Sequence, residues 1–118
     1  NNIFSFFFLD QAFPSLVKFA LTNQNNCAVR LSEYESIETV ISFSGIVKWV
    51  WVDMFRNFNL TSFNFRKLKE HNFKICIVSP ELQNYGLNEI IKIKKIMKNN
   101  KIQVDAVCTK FPDIWLAN

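Results

Sequence analysis

Apolar residues gather along the chain in short runs rich in Phe, Val and Ile, over residues 3–9, 27–31, 47–52, 73–78 and 104–108. Their starts lie 24, 20, 26 and 31 residues apart. The runs are apolar on both alternating faces, the pattern of parallel strands covered on each side by helices or by a barrel interior.

Between the runs the period changes to that of a helix. Pro14 suits an early helical position, and Leu16, Val17, Phe19, Ala20 and Leu21 form an apolar stripe that ends at Thr22. Ser36 predicts an N-cap for a second helix, with Glu38 and Thr39 close behind and a stop at Gly45. A third spans 61–71, with Phe65 and Leu68 facing in and Arg66, Lys67, Lys69 and Glu70 facing out. The fourth spans 87–100, opened by Asn88 or Gly86 and closed by Asn99 and Asn100. The predicted order is five strands and four helices in strict alternation, hence an α/β fold with a parallel sheet and right-handed crossovers.

An open doubly wound sheet and a closed barrel both suit that order, and the strand ends arbitrate. A dinucleotide-binding sheet carries a glycine-rich turn after its first strand. Only Gly45 and Gly86 occur in the chain. Barrels instead place polar residues at the C-terminal ends of their strands. Here the runs end in Asp10 and Gln11, in Arg30 with Glu33 and Glu35, in Asp53, in Ser79 with Glu81, and in Thr109 with Lys110. The expectation is an arc of polar groups along one rim of a partial (βα)8 TIM barrel, with residues 1–118 forming a single partial domain. An eight-stranded barrel needs about 250 residues. The chain begins at Asn1, and residues preceding it are expected to supply the N-terminal half.

The rim residues divide by environment. Glu33 and Glu35 precede a helix start and read first as dipole-stabilised caps. Arg30 lies inside a strand run, where a guanidinium needs a partner or the barrel mouth, and Asp53 on the next strand is its natural partner. Lys110 and Glu81 divide evenly between ligand contact and ordinary loop polarity. Phosphate sites in barrels are built from the loops after the last strands, which favours Lys110 as a point charge. His71, at a helix end, reads as a C-terminal cap. Trp49 and Trp51 read as packing residues, and Trp115 as packing or as a pocket wall.

Composition narrows the function class. The chain is 49% hydrophobic and 20% charged, which excludes disordered and fibrous classes. Much of its net charge of +4 comes from Lys92, Lys94, Lys95, Lys98 and Lys101, interleaved with Ile91, Ile93, Ile96, Met97 and Ile102. On a helix this predicts lysines outward and apolar residues inward, a solvated face rather than a nucleic-acid or lipid surface. Cys27, Cys76 and Cys108 offer no zinc spacing and read as buried free thiols in the cytoplasm. Residues 3–9 are too few for a membrane span, which takes about 20 residues.

The segments FFFLDQAFP, RLSEYE, WVWVDMF, FKICIVSPEL and VDAVCTKFPDIW, in this order, resemble the later strands of the glycerophosphodiester phosphodiesterase-like family. Those proteins are barrels in the superfamily of phosphatidylinositol-specific phospholipases C. The resemblance implies hydrolysis of a small phosphodiester or polar-headgroup substrate by acid-base chemistry, assisted by a divalent cation, Mg²⁺ or Ca²⁺. The family's catalytic histidines and most of its metal-binding carboxylates lie in motifs of the HRG or HAN type and a following Glu-x-Asp. None of these occurs here, and His71 is the single histidine. The residues carried over are Arg30, Asp53, Glu81, Lys110 and Asp10, as phosphate or headgroup contacts. The chain alone is expected to be inactive. The alternative is a catalytically degenerate barrel, or a half-barrel that self-associates through its open edges and binds an anionic ligand.

Overall fold

The computed structural model describes residues 27–117. The expected strand at 3–9, the expected helix from Pro14 to Thr22, and Asp10 lie outside the described residues. Within them the order is β1 (Ala28–Leu31), α1 (Ile37–Ile41), β2 (Trp49–Val52), α2 (Ser62–Glu70), β3 (Lys74–Val78), a 3-10 turn (Pro80–Gln83), α3 (Leu87–Asn99), β4 (Ala106–Cys108) and α4 (Pro112–Leu116). The sheet described has four strands, not five.

All neighbouring strands are parallel, and their order across the sheet, β1-β2-β3-β4, is their order along the chain. Among the described strands there is no point at which the winding reverses. The register aligns Val29 with Val50 and Val50 with Ile75, and above them Leu31 with Val52 and Val52 with Ile77. Because side chains alternate along a strand, these six point to one face. They share a core with Val40 of α1, Leu68 of α2, and Ile93 and Met97 of α3. Three successive helices thus cover the same face, as repeated crossovers of one hand require. Burying each of these aliphatic side chains contributes about 1.5–3 kcal/mol.

The helix limits follow local chemistry. Ser36 caps α1 by accepting the Thr39 N–H at 3.1 Å, and Thr61 caps α2 through the Asn64 N–H at 3.1 Å. Gly86 and Asn100 bound α3. Helix α1 ends at Ile41, short of the stop expected at Gly45. The Ser42 hydroxyl donates to the Thr39 carbonyl, and Phe43 and Ser44 make tighter bonds to Val40 and Ile41. These contacts convert the helix to turns before Gly45, whose φ of 79° is reached without steric cost.

Strand β4 begins at Ala106, two residues later than the apolar run suggests. Asp105 pairs with Ile75 through its backbone N–H and its side chain, and also binds Lys69 Nζ at 2.7 Å. Helix α4 had no counterpart in the periodicity. It opens with Pro112 at its first position and has Asp113 in its first turn, both favourable at a helix start.

Ile91 corrects the reading of the lysine-rich helix. Ile90, Ile93 and Met97 form its buried stripe, whereas Ile91 is 61% exposed. At 100° per residue, Ile91 lies away from that stripe and shares a flank with Lys95 and Lys98.

Candidate functional site

The C-terminal ends of the four strands carry Ser32, Asp53, Ser79 and Thr109 to one edge of the sheet. Sequential parallel strands produce this directly, since all four run the same way. The edge divides into two hydrogen-bonded clusters.

The first joins β1 and β2. Arg30 Nε and Nη2 donate to Glu35 Oε2 at 3.2 and 3.0 Å, and its guanidinium lies 5.4 Å from the Phe55 ring centre. Among the described residues its ion-pair partner is Glu35 and not Asp53. The reason is local: the chain turns after β1, with the Glu35 N–H bonded to the Ser32 carbonyl, and folds the Glu35 carboxylate back over the strand. The Ser32 hydroxyl donates to the other oxygen of Glu35. Asp53 stands two residues beyond Trp51, the residue opposite Arg30, and its carboxylate bonds to Gln83 and the Met54 N–H instead.

Glu33 does not cap the helix that follows it, and neither does Glu35, because Ser36 occupies that role. Glu33 reaches across to β2's loop and accepts the backbone N–H groups of Phe55 at 3.1 Å, Asn57 at 2.9 Å and Arg56. Partial burial pushes its pKa up, but these donors outweigh it and hold the carboxyl below its ordinary range.

The second cluster joins β2, β3 and β4. Asp53, only 7% exposed, accepts both of its hydrogen bonds on Oδ1, from Gln83 Nε2 at 2.8 Å and the Met54 N–H at 3.1 Å. Ser79 is fully buried; its hydroxyl donates to Glu81 Oε1 and accepts Trp115 Nε1–H at 2.8 Å. Glu81 Oε2 takes the Thr109 hydroxyl at 2.6 Å and the Lys110 N–H at 2.8 Å. Burial raises the Glu81 pKa, yet the Ser79 and Thr109 hydroxyls and the Lys110 N–H together bring it below the usual carboxylate range. Tyr85 closes the edge by donating to the Phe55 carbonyl at 2.6 Å.

The sequence-predicted residues therefore take different positions. Glu81 clasps the ends of β3 and β4 and so holds the backbone of Lys110, whose side chain is exposed. Asp53 is anchored on one oxygen. Arg30 is engaged by Glu35. His71 serves as the cap of α2, its Nδ1 2.9 Å from the Lys67 carbonyl. Trp115 packs against the core and donates to Ser79, a packing role with a polar tether.

Sequence reasoning missed Gln83, Tyr85 and Ser32 as members of the edge. For Gln83 and Tyr85 a signal existed in Pro80, which stiffens the turn that carries them back toward β2. Among the described residues, no three His, Cys, Asp or Glu side chains converge as a metal site. Glu33, Glu35 and Glu81 hold N–H or O–H donors of the protein on both oxygens, whereas Asp53 is engaged on Oδ1 alone.

Cys27 and Cys76 are buried free thiols and Cys108 is half-buried and free. Desolvation is the chief cause that pushes Cys76 up to about 12, and a thiol so placed is no nucleophile. No helix among the described residues is long and apolar enough to cross a membrane. No family model, curated protein or solved structure matches this chain.

Proposed function

We propose that the chain is the C-terminal part of a phosphodiester-hydrolase barrel of the glycerophosphodiester phosphodiesterase-like kind, and that its share of the work is substrate holding. The observation that carries this reading is the sheet order. Four parallel strands follow one another without reversal, with α1, α2 and α3 on one face and polar groups at one edge. A barrel is built from that unit repeated, and its active site lies at that edge.

In this reading Lys110 meets the phosphate as a point charge. Glu81 is a positioning residue, because it fixes the backbone of Lys110 and does not touch substrate. Asp53, held on Oδ1 by Gln83 and Met54, accepts a hydroxyl of the alcohol or headgroup on Oδ2. Arg30, aligned by Glu35, adds positive potential below the edge. Proton transfer and the divalent cation of the resembling family would come from residues outside this chain. The three free thiols support a reducing compartment, the cytoplasm.

The test is titration of glycerophosphocholine into the chain, followed by backbone amide NMR shifts. Shifts at Lys110, Thr109 and Asp53 that shrink in Lys110→Gln and Asp53→Asn are the expected result. A folded chain with no shift at millimolar ligand would sink the binding claim. Robust turnover by this chain with Mg²⁺ or Ca²⁺ would overturn the division of labour.

A second reading is a half-barrel that pairs with a copy of itself and binds an anionic ligand without catalysis. It is favoured by the outer strand β4 of the described sheet, three residues long and half-buried throughout. Exposed strand edges favour association. Light scattering that finds a concentration-independent monomer would count against it.

A further inference from the structure

The flank between α3 and α4 carries a surface that the edge chemistry does not use. Leu87, Ile91, Lys95 and Lys98 fall at helical spacing on one side of α3, separate from its buried stripe. Leu87 is 43% and Ile91 61% exposed, and Leu116 of α4 is 82% exposed. A groove of about 860 Å³ runs between the two helices, with Ile91 and Ile114 on its apolar side and Lys95 and Lys98 on its rim. Lys94 holds the helices together by donating to the Ile114 carbonyl at 2.7 Å and to the Ala117 carbonyl. It thereby supplies the cation that a helix C-terminus favours.

We propose that this flank docks on an anionic lipid bilayer, with Leu87, Ile91 and Leu116 entering the headgroup boundary and Lys95 and Lys98 meeting the lipid charges. The composition of the patch selects this partner. Interfaces between proteins are enriched in aromatic residues and Arg and depleted in Lys. This patch has isolated aliphatic side chains and lysines. Nucleic acid draws stacking aromatics and Arg, which the patch lacks. Lysines beside protruding aliphatics match a bilayer surface, because their apolar stems follow the aliphatic layer while the ammonium groups reach the phosphates. Asp113 on the groove and Glu89 in the first turn of α3 oppose the attraction, and against them the groove's Lys94, Lys95 and Lys98 leave one positive charge in excess. This inference is independent of the phosphodiester reading.

The test is co-sedimentation of the chain with vesicles of phosphatidylcholine containing about one-third phosphatidylserine, an anionic composition of the kind that draws basic surfaces, against vesicles of phosphatidylcholine alone. Binding to the anionic vesicles that weakens at high salt is expected. Each neutralised lysine near the surface should lower partitioning about fivefold, so Lys95→Gln with Lys98→Gln should lower it about 25-fold. Asp113→Asn should raise it about fivefold on the same basis. These residues are exposed, so circular dichroism should show unchanged folding. A folded wild-type chain that stays in the supernatant, or a double variant that sediments as the wild type does, would overturn the proposal. So would a dimer that is lost in Ile91→Ser while sedimentation is unchanged, since the flank would then belong to a second copy.

Discussion

The two faces of the sheet are built on different principles. On the helix-covered face, Val29, Leu31, Val50, Val52, Ile75 and Ile77 are all aliphatic and at most 1% exposed. The opposite face carries Ala28, Arg30, Trp49, Trp51, Lys74, Cys76, Val78 and Cys108 by the same alternation. Several of these rely on particular partners: Arg30 on Glu35 and Phe55, and Lys74 on the Trp49 ring at 5.6 Å. The first face is held by area removed from water, which tolerates any arrangement of similar volume. The second is held by geometry, since each polar group there must find its own partner. Among the described strands the all-aliphatic pattern therefore occurs on one face only.

The largest expected effect breaks the aliphatic face. Leu68→Ala removes a fully buried side chain from the centre of the core, and chemical denaturation should register a loss of about 2–5 kcal/mol. A loss below 1 kcal/mol would mean that the helices bear loosely on the sheet.

Next comes the clasp at the strand ends. Glu81→Ala strips the acceptor from the Ser79 and Thr109 hydroxyls, and the expected cost is about 1–3 kcal/mol. Glu81→Gln separates charge from shape through pH. Because the folded pKa of Glu81 lies below its unfolded value of about 4.3, its contribution is fully present above that value. It fades as pH falls through the folded pKa. Unfolding free energy against pH should thus fall less steeply on the acid side, below about pH 4.3, in Glu81→Gln than in the wild type.

Asp105, at the other end of the strands, follows the same sign. Burial pushes its pKa up, and the Lys69 ammonium and the Ile75 N–H outweigh that and lower it. Its pair with Lys69 is about one-third exposed, and Lys69→Met should cost about 0–1 kcal/mol. An equal loss from Lys69→Met and Glu81→Ala would erase the distinction between the buried clasp and the open pair.

The smallest effect probes the polar face by reactivity. Cys108, half-buried, should label with a thiol reagent before Cys76, whose pKa is pushed up to about 12 mainly by desolvation, and before Cys27, which is fully buried. Mass spectrometry of partly labelled protein reads the order. Labelling of Cys76 first would show that this face opens more readily than its burial implies.

Much of the fold was legible because it depends on spacing. Four of the apolar runs coincide with β1 to β4, and Ser36, Thr61 and Gly86 bound the helices that periodicity locates. The candidate site was legible only as a location. That Asp53, Glu81 and Lys110 reach one edge follows from their places after the strands. The partner of Arg30 does not, because Glu35 and Asp53 are both carboxylates within reach of the same rim, and a turn between Ser32 and Glu35 decided between them. Glu33 was misread for a related reason. Its sequence neighbours form a helix, but the unpaired N–H groups it serves lie on β2's loop, 22 to 24 residues away.

The sequence by itself thus determined the alternation of elements, the apolar character of the strand runs and the common polar edge, all of which depend on local period and on the direction of a strand. Only the tertiary structure decided which acid meets which donor and that Ile91 stands outward beside Lys95 and Lys98. It also set the order of the strands across the sheet, β1-β2-β3-β4. Those outcomes depend on contacts between residues distant in the chain, and hydrophobic burial, being non-directional, does not specify them. Hydrogen bonds and charge pairs do, through geometry that exists only once the strands are side by side.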